Sequence, residues 1–536
     1  MFGEFMNEHP RWVPALRELD TRSHRESERE NLRDDQPGAH PALFLAAMVA
    51  LVVVVPLNLT GVNPALVSID DTFSAQMRTG QWVVSAYAAA LAVAVLPAGR
   101  LVDLRGPRSA ATLSALVLGS GLVAAAVAPA AWWLIATRIV QGVGAAVLLI
   151  AVTKLIVSRY PPDRRGLPVG ILSAALASAL GAAPFIGGFM ADRFGWRAIF
   201  VLLLILTVVG MAAMLALSES DRVERGSASI EAFGTGLLAL AIMLLLLGLT
   251  ESHSRSFLPW GASALGASVV VFGAFYVQQR RRPDPIIDFT LFKIPALDGA
   301  ILARFVTGFA FFGGLYYLTI LLMGVQDRSG TEAGLLLLPT SVTAVLGALV
   351  AGRIVDRVGP AVPITAGTLI VSAGMFWIAL ASNDTAYWIE LGPALLLVGT
   401  GYGLVATPAK VAAVNAVDLD RVGHASGMTA MATNLSAAIS VALISAVFNL
   451  LSAGALRRSL GKFGIRVDPE EFDRISNALH SSTPDSARVA ADSAEIMTAV
   501  TDAFLSALAA CAVGLAIFVG AAAFGIAPML RRRRDA

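Results

Sequence analysis

Fourteen apolar runs, most of them near the ~20 residues that a helix needs to cross a bilayer, divide this chain. They fall at about 42–66, 81–99, 109–128, 132–157, 167–189, 197–217, 231–250, 258–278, 297–323, 332–352, 361–381, 387–409, 425–451 and 501–527. Each predicts a membrane-spanning helix. Polar residues collect in the turns between them and in two longer stretches, 1–41 and 453–498. The predicted fold class is therefore all-α and integral to the membrane.

One polar pattern occurs twice. Gly99-Arg100-Leu101-Val102-Asp103-Leu104-Arg105-Gly106-Pro107-Arg108 returns as Gly352-Arg353-Ile354-Val355-Asp356-Arg357-Val358-Gly359-Pro360. The copies close the second and the tenth runs. Two related six-helix bundles with two inserted helices follow, the plan of a secondary transporter whose halves rock about a central site. The predicted parts are a tail at 1–41, a bundle at 42–217, an insert with linkers at 218–296, a second bundle at 297–529 carrying the loop 453–498, and a basic tail at 530–536. Within that loop, Asp468-Pro469-Glu470-Glu471 has the cap, first-turn proline and third-position acid of a helix start. A short amphipathic helix over the pore mouth is expected there.

Composition makes lipid the solvent for much of this surface: 56% of the 536 residues are apolar and 15% charged, with mean hydropathy +0.71, far from soluble averages. Charge placement sets the orientation. Of 40 Lys and Arg, 21 fall on the side of the two repeated patterns and five in short loops on the other. The positive-inside rule then puts both termini in the cytoplasm. The charge-mixed tail 1–41 is expected to stay solvated and lacks the pattern of a cleavable signal peptide. Arg531 to Arg534 are expected to hold the last helix to anionic headgroups.

Cys511 is the only cysteine, which excludes an intrachain disulfide and a cysteine-built metal centre. The histidines, His9, His24, His40, His253, His424 and His480, have no metal-ligand spacing, and no GxxxxGK phosphate loop occurs. Neither a membrane enzyme nor a directly ATP-driven pump is indicated. No cofactor, metal, nucleic acid or obligate protein partner is implied. Four lysines against 36 arginines fit the codon usage of a high-GC bacterium.

Three runs carry candidate transport chemistry. In the repeated pattern, Gly99 and Gly106 permit a tight helix–helix turn. Asp103 is placed to take a charge-assisted bond from an arginine or a helix N-terminus, latching the outward-facing form; Arg108 lies beside it, and Gly352, Asp356 and Gly359 repeat the arrangement. In the fourth run, Arg138 stands with Gln141, Gly142 and Gly144. An arginine at that depth costs a few kcal/mol on insertion scales, so it should face the bundle interior. Arg138 and Arg304 are the only cations that this reading leaves inside the membrane. In the fifth run, Pro184 bends the helix, and Gly187 with Gly188 predicts close packing between the halves as an outer seal.

Together these residues resemble the major facilitator superfamily, and within it the fourteen-span drug:proton antiporter branch, over about residues 42–529. Gly99, Leu101, Asp103, Gly106 and Arg108 match that family's loop motif. Arg138, Gln141, Gly142 and Gly144 match its arginine motif, which the resemblance links to proton transfer. Gly170, Pro184, Gly187 and Gly188 resemble its antiporter motif, with Ala179 and Ala183 where glycines are usual. Leu57 to Ala65 resembles its first-span motif, with Asn58 where aspartate is common. The resemblance implies export of amphipathic drugs or natural products across the cytoplasmic membrane of a bacterium, by alternating access and proton antiport, with antibiotic resistance as the outcome.

Asn58 cannot titrate. Proton coupling needs a group in the membrane that loads and releases a proton, and a carboxylate serves once burial raises its pKa. None of the 38 Asp and Glu falls near the middle of a run. Glu390, just inside the twelfth, is the nearest candidate, followed by Asp298 and Asp192 at run ends. The expected cavity is apolar with sparse polar points at Asn58, Asn63, Tyr87, Gln141, Tyr316, Tyr317, Tyr402 and Asn434, which suits a lipophilic small molecule. Arg138 and Arg304 without a matching carboxylate favour a neutral or anionic solute over a multivalent cation. The alternative is export of a lipid or lipid-like metabolite with weak or no proton coupling, membrane lipids being partners in either case.

Overall fold

The computed structural model describes residues 41–531 apart from 74–77, 161–165, 219–230, 252–257, 283–284, 327, 381–386, 419–420, 466–467, 469–470, 473–474 and 476–493. Among the described residues, fourteen helices are long and apolar enough to cross a membrane. They are α1 Pro41–Thr60, α2 Thr79–Arg105, α3 Pro107–Ala126, α4 Ala131–Arg159, α5 Leu167–Phe194, α6 Arg197–Leu217, α7 Ala232–Thr250, α8 Trp260–Arg280, α9 Pro295–Gly324, α10 Gly330–Val355, α11 Ala361–Ala379, α12 Leu391–Asn415, α13 Val422–Lys462 and α14 Ile496–Leu530. The chain is a multi-pass membrane protein. Segments this apolar meet no water to satisfy their peptide groups, and a helix closes those bonds internally.

The helices α1 to α6 form one bundle and α9 to α14 the other, joined where α5 packs along α10 and α2 along α13. The inserted pair α7–α8 leans on α2 and α13. Its two ends are tied by the buried Glu231, whose carboxylate accepts from Gln279 Nε2 at 3.0 Å and pairs with Arg282 Nε at 3.1 Å. The second bundle is built around α9, which is buried along almost all of its apolar length, whereas most of α8 is not, which places α8 at the lipid periphery.

Both repeated patterns end in a left-handed glycine, Gly106 at φ 83° and Gly359 at φ 77°, a conformation that a Cβ disfavours. The end of the molecule carrying these turns is called the cassette face here, and the opposite end the far face. Gly99 departs from expectation. The helix continues unbroken to Arg105, so Gly99 is a helical residue and not part of the turn, with open space where a Cβ would sit. Pro107 opens the next helix, where its missing N–H costs nothing.

The predicted loop also changes. Helix α13 runs 41 residues, through Lys462, so 453–462 is helix. Its end is fastened to α14 by Ser459 Oγ donating to Asp502 Oδ2 at 2.8 Å and Lys462 Nζ at 3.6 Å from the same oxygen. Further along, Asp468 Oδ1 accepts from Glu471 N at 2.7 Å, the cap expected of a helix start. The tails 1–40 and 532–536 and the stretch 476–493 lie outside the described residues.

Candidate functional site

Arg138 is fully buried, and neutral oxygens satisfy its guanidinium. Nε donates to Val83 O at 2.8 Å, Nη1 to Gln141 Oε1 at 2.8 Å and to Asn58 Oδ1, and Nη2 to Asn58 O at 2.9 Å. The Tyr87 ring lies with its centroid 4.4 Å from the guanidinium carbon, and its hydroxyl donates to Val55 O at 2.9 Å. Asn58 Nδ2 donates to Gln141 Oε1 at 3.0 Å, and Gln141 Nε2 to Gly121 O at 2.9 Å. One cation therefore ties α1, α2, α3 and α4 together. Asn58, Tyr87 and Gln141, expected on a cavity wall, are buried in this cage instead. The reason is physical: a buried cation without a counter-ion must gather every nearby oxygen and aromatic face.

The halves meet tightly at the far face. A Cβ on Gly188 would lie 2.0 Å from Gly330 O, one on Gly181 2.3 Å from Ser341 Cβ, and one on Gly334 2.5 Å from Phe185 Cα. Asp192, at the end of α5, accepts from Gly330 N at 3.1 Å and Thr331 N at 2.7 Å, and from the Thr331 hydroxyl. It caps the positive end of α10 from the other bundle. Gly187 faces differently: its Cβ would meet Gly61 O at 1.7 Å, so it packs α5 on α1 within its own bundle. Pro184 lies inside α5 without ending it. Toward the cassette face, Gly170 on α5 and Gly352 on α10 have nothing within 4 Å of a Cβ. The α5–α10 contact is shut at one end and open at the other.

Asp103 does not reach a helix N-terminus or an arginine here. It pairs with Lys154 of α4, inside its own bundle. Arg108 Nη2 donates to Leu215 O at 2.8 Å, bracing the end of α6. The side chains of Asp356 and Glu390 lie outside the described residues.

In the second bundle, Arg304 is 6% exposed. Its Nε donates to Thr433 Oγ1 at 3.0 Å and Nη2 to Tyr402 Oη at 3.3 Å, while Nη1 is buried with no acceptor among the described residues. The Tyr402 ring lies 5.1 Å from the guanidinium carbon and stacks on Phe311 at 4.2 Å. Sequence reasoning missed Lys410. It lies within α12, before Asn415, and not in a turn. Its side chain is exposed.

Sequence reasoning also left Asp70 in a loop. It lies in a short helix, Leu66–Phe73, and is 1% exposed, within electrostatic reach of Tyr316 of the opposite bundle. The Tyr316 hydroxyl and Asn63 Oδ1 are buried without a hydrogen-bond partner among the described residues. Tyr317 Oη donates to Ser445 Oγ at 2.9 Å. Asn434 Nδ2 turns back to Ala430 O of its own helix at 2.9 Å. Two apolar grooves flank α7. One, of about 700 Å³, is lined by Phe272, Phe275, Phe305, Met428 and Met431, with Asp298 a polar point; the other, of about 500 Å³, lies between α2, α4 and α7.

The profile of the Major Facilitator Superfamily matches residues 48–441. A tetracenomycin C resistance and export protein of Streptomyces glaucescens is 29% identical over 69% of this chain and 71% of its own length. A methylenomycin A resistance protein of Streptomyces coelicolor is 26% identical over 76% and 86%, and the multidrug resistance protein Stp of Mycobacterium tuberculosis is 28% identical over 72% of each. Among solved structures, a bacterial homologue of the lysosomal transporter Spinster, inward-facing and unoccupied, superposes with a TM-score of 0.61 at 16% identity, over 94% of this chain and 100% of its own.

Proposed function

The chain belongs to the Major Facilitator Superfamily and is a transporter, not an enzyme; from that premise we propose that it exports lipophilic small molecules, drugs or natural products, across the cytoplasmic membrane by alternating access in exchange for protons. The observation that carries this reading is the asymmetry of α5 against α10, sealed glycine to glycine at the far face and unpacked at Gly170 and Gly352. The excess of Lys and Arg on the cassette face makes that face cytoplasmic. The open end then looks into the cell, where an exporter loads. Relatives named for resistance to tetracenomycin C and methylenomycin A support a drug or natural product as the solute.

Asp70 supports the proton half of the reading. A carboxylate 1% exposed at the junction of the bundles belongs to the class of group that loads and releases a proton as a gate opens. The proton gradient replaces any cofactor. The two apolar grooves beside α7 favour a second reading, export of a lipid-like solute entering from the bilayer.

The test is reconstitution in liposomes with an inward-acidic gradient, reading dye uptake and lumenal pH in wild type, Asp70→Asn and Glu390→Gln. Uptake of dye coupled to proton efflux, lost in Asp70→Asn, is the expected result. Dye uptake that ignores the gradient would replace antiport by the lipid-type reading.

A further inference from the structure

We propose that the larger groove beside α7 is a binding site for a drug-sized lipophilic amine, whose single positive charge pairs with Asp298. The inference deepens the reading of the grooves as an entry from the bilayer and names the class of molecule that enters. The groove lies among α7, the last turns of α8, the linker before α9 and the first turns of α9 and α13. Successive spans alternate in direction, so the end of α8 and the starts of α9 and α13 share the cassette face with the end of α2. The groove therefore stands at the depth of the inner leaflet if that face is cytoplasmic. Its wall is largely aromatic. Phe289 of the linker meets Tyr276 and Phe275 of α8 at ring-centroid distances of 4.9 Å and 6.2 Å, and Phe292 at 5.9 Å, and all four rings line the groove.

Asp298 is the one charged side chain among the described residues lining this groove. It stands in the first turn of α9 but does not cap it, the cap position being Ile294. Its Oδ1 is buried without a hydrogen-bond partner among the described residues. Glu231 shows the contrast: that buried carboxylate is satisfied by Gln279 and Arg282. A buried carboxylate oxygen without a partner costs free energy, and an ammonium removes that cost through a charge-assisted bond. Aromatic faces attract an organic cation as well. The volume, about 700 Å³, falls in the range of drug-sized ligand sites. One carboxylate balances one charge, which selects a monovalent amine. The other groove, of about 500 Å³, is lined by no charged side chain and has no such preference.

The site is tested by scintillation proximity on the full chain in dodecyl maltoside. The probe is tritiated imipramine, a tricyclic with one tertiary amine, and the neutral competitor is iminodibenzyl, the same ring system without the amine. Imipramine is expected to bind saturably. Loss of its charged partner in Asp298→Asn should weaken it about tenfold or more, with Asp298→Glu near wild type and the inhibition constant of iminodibenzyl unchanged. Gly273→Leu fills the groove from α8, where a Cβ meets open space, and should weaken both compounds. Absence of saturable imipramine binding overturns the proposal, as does binding that survives Asp298→Asn or is lost instead in Asp70→Asn. Displacement of imipramine by dioctanoyl phosphatidylethanolamine and not by dioctanoyl phosphatidylglycerol would give the groove to a lipid headgroup, which also overturns it. Binding is read without transport, so a failure of the exporter reading leaves this result standing.

Discussion

Asp192 holds Thr331 across the junction of the two bundles: its Oδ2 accepts from the Thr331 amide at 2.7 Å, while Oδ1 takes the Gly330 amide at 3.1 Å. The carboxylate thus sits on the positive end of α10 although it belongs to α5. A charge in that place contributes about 1 kcal/mol, so Asp192→Asn should shift the open-to-closed ratio of the far face roughly fivefold. Ser341→Cys in a Cys511→Ala background reports this. Labelling by an impermeant maleimide from the far side should rise, and unchanged labelling would remove Asp192 from the seal.

Gly187 and Gly188 adjoin in sequence but face different neighbours, α1 for the first and α10 for the second. Gly187→Ala should lower the thermal unfolding midpoint, since the intruding methyl group parts helices of one bundle. Gly188→Ala should leave that midpoint near wild type and abolish transport, because the halves can no longer close on the far face. Identical behaviour of the two variants would refute the assignment.

Arg138→Ala strips four donors from buried acceptors, at a cost on the order of 3 kcal/mol or more. Loss of folded protein in detergent is expected before any loss of a specific transport step. Asn58→Asp makes the opposite change by giving the guanidinium a carboxylate. It should fold, with the new carboxylate paired to the guanidinium and the cage kept. Thermal midpoints at neutral pH read both effects.

Asp288, in the linker leading to α9, is drawn two ways. Partial burial works to raise its pKa, but bonds from the Thr290 amide and hydroxyl and the nearby Arg421 outweigh it and hold the carboxyl below its ordinary value. A depressed acid stabilises its contacts above the unfolded pKa and stops doing so as pH falls through the folded one. Proteolytic cleavage at Lys293 should therefore stay slow at neutral pH and rise under strong acid, and Asp288→Ala should show the fast cleavage already at neutral pH.

The sequence by itself determined the fourteen helices, because the bilayer demands long apolar segments whose peptide groups are satisfied internally. It also placed Arg138 and Gln141 one turn apart on α4, where both prove buried. What it left open was the direction in which each side chain points. Asn58 and Tyr87 were legible as polar points in apolar runs, but only packing turned them onto Arg138 and away from a cavity. Lys410 read as a turn residue until the helix was seen to continue past it, and Asp70 read as loop until it was found buried near Tyr316. Hydropathy measures transfer from water to lipid, residue by residue. The facing of a helix, and the pairing of Asp192 with an amide 139 positions away, depend on neighbours that only the tertiary structure brings together.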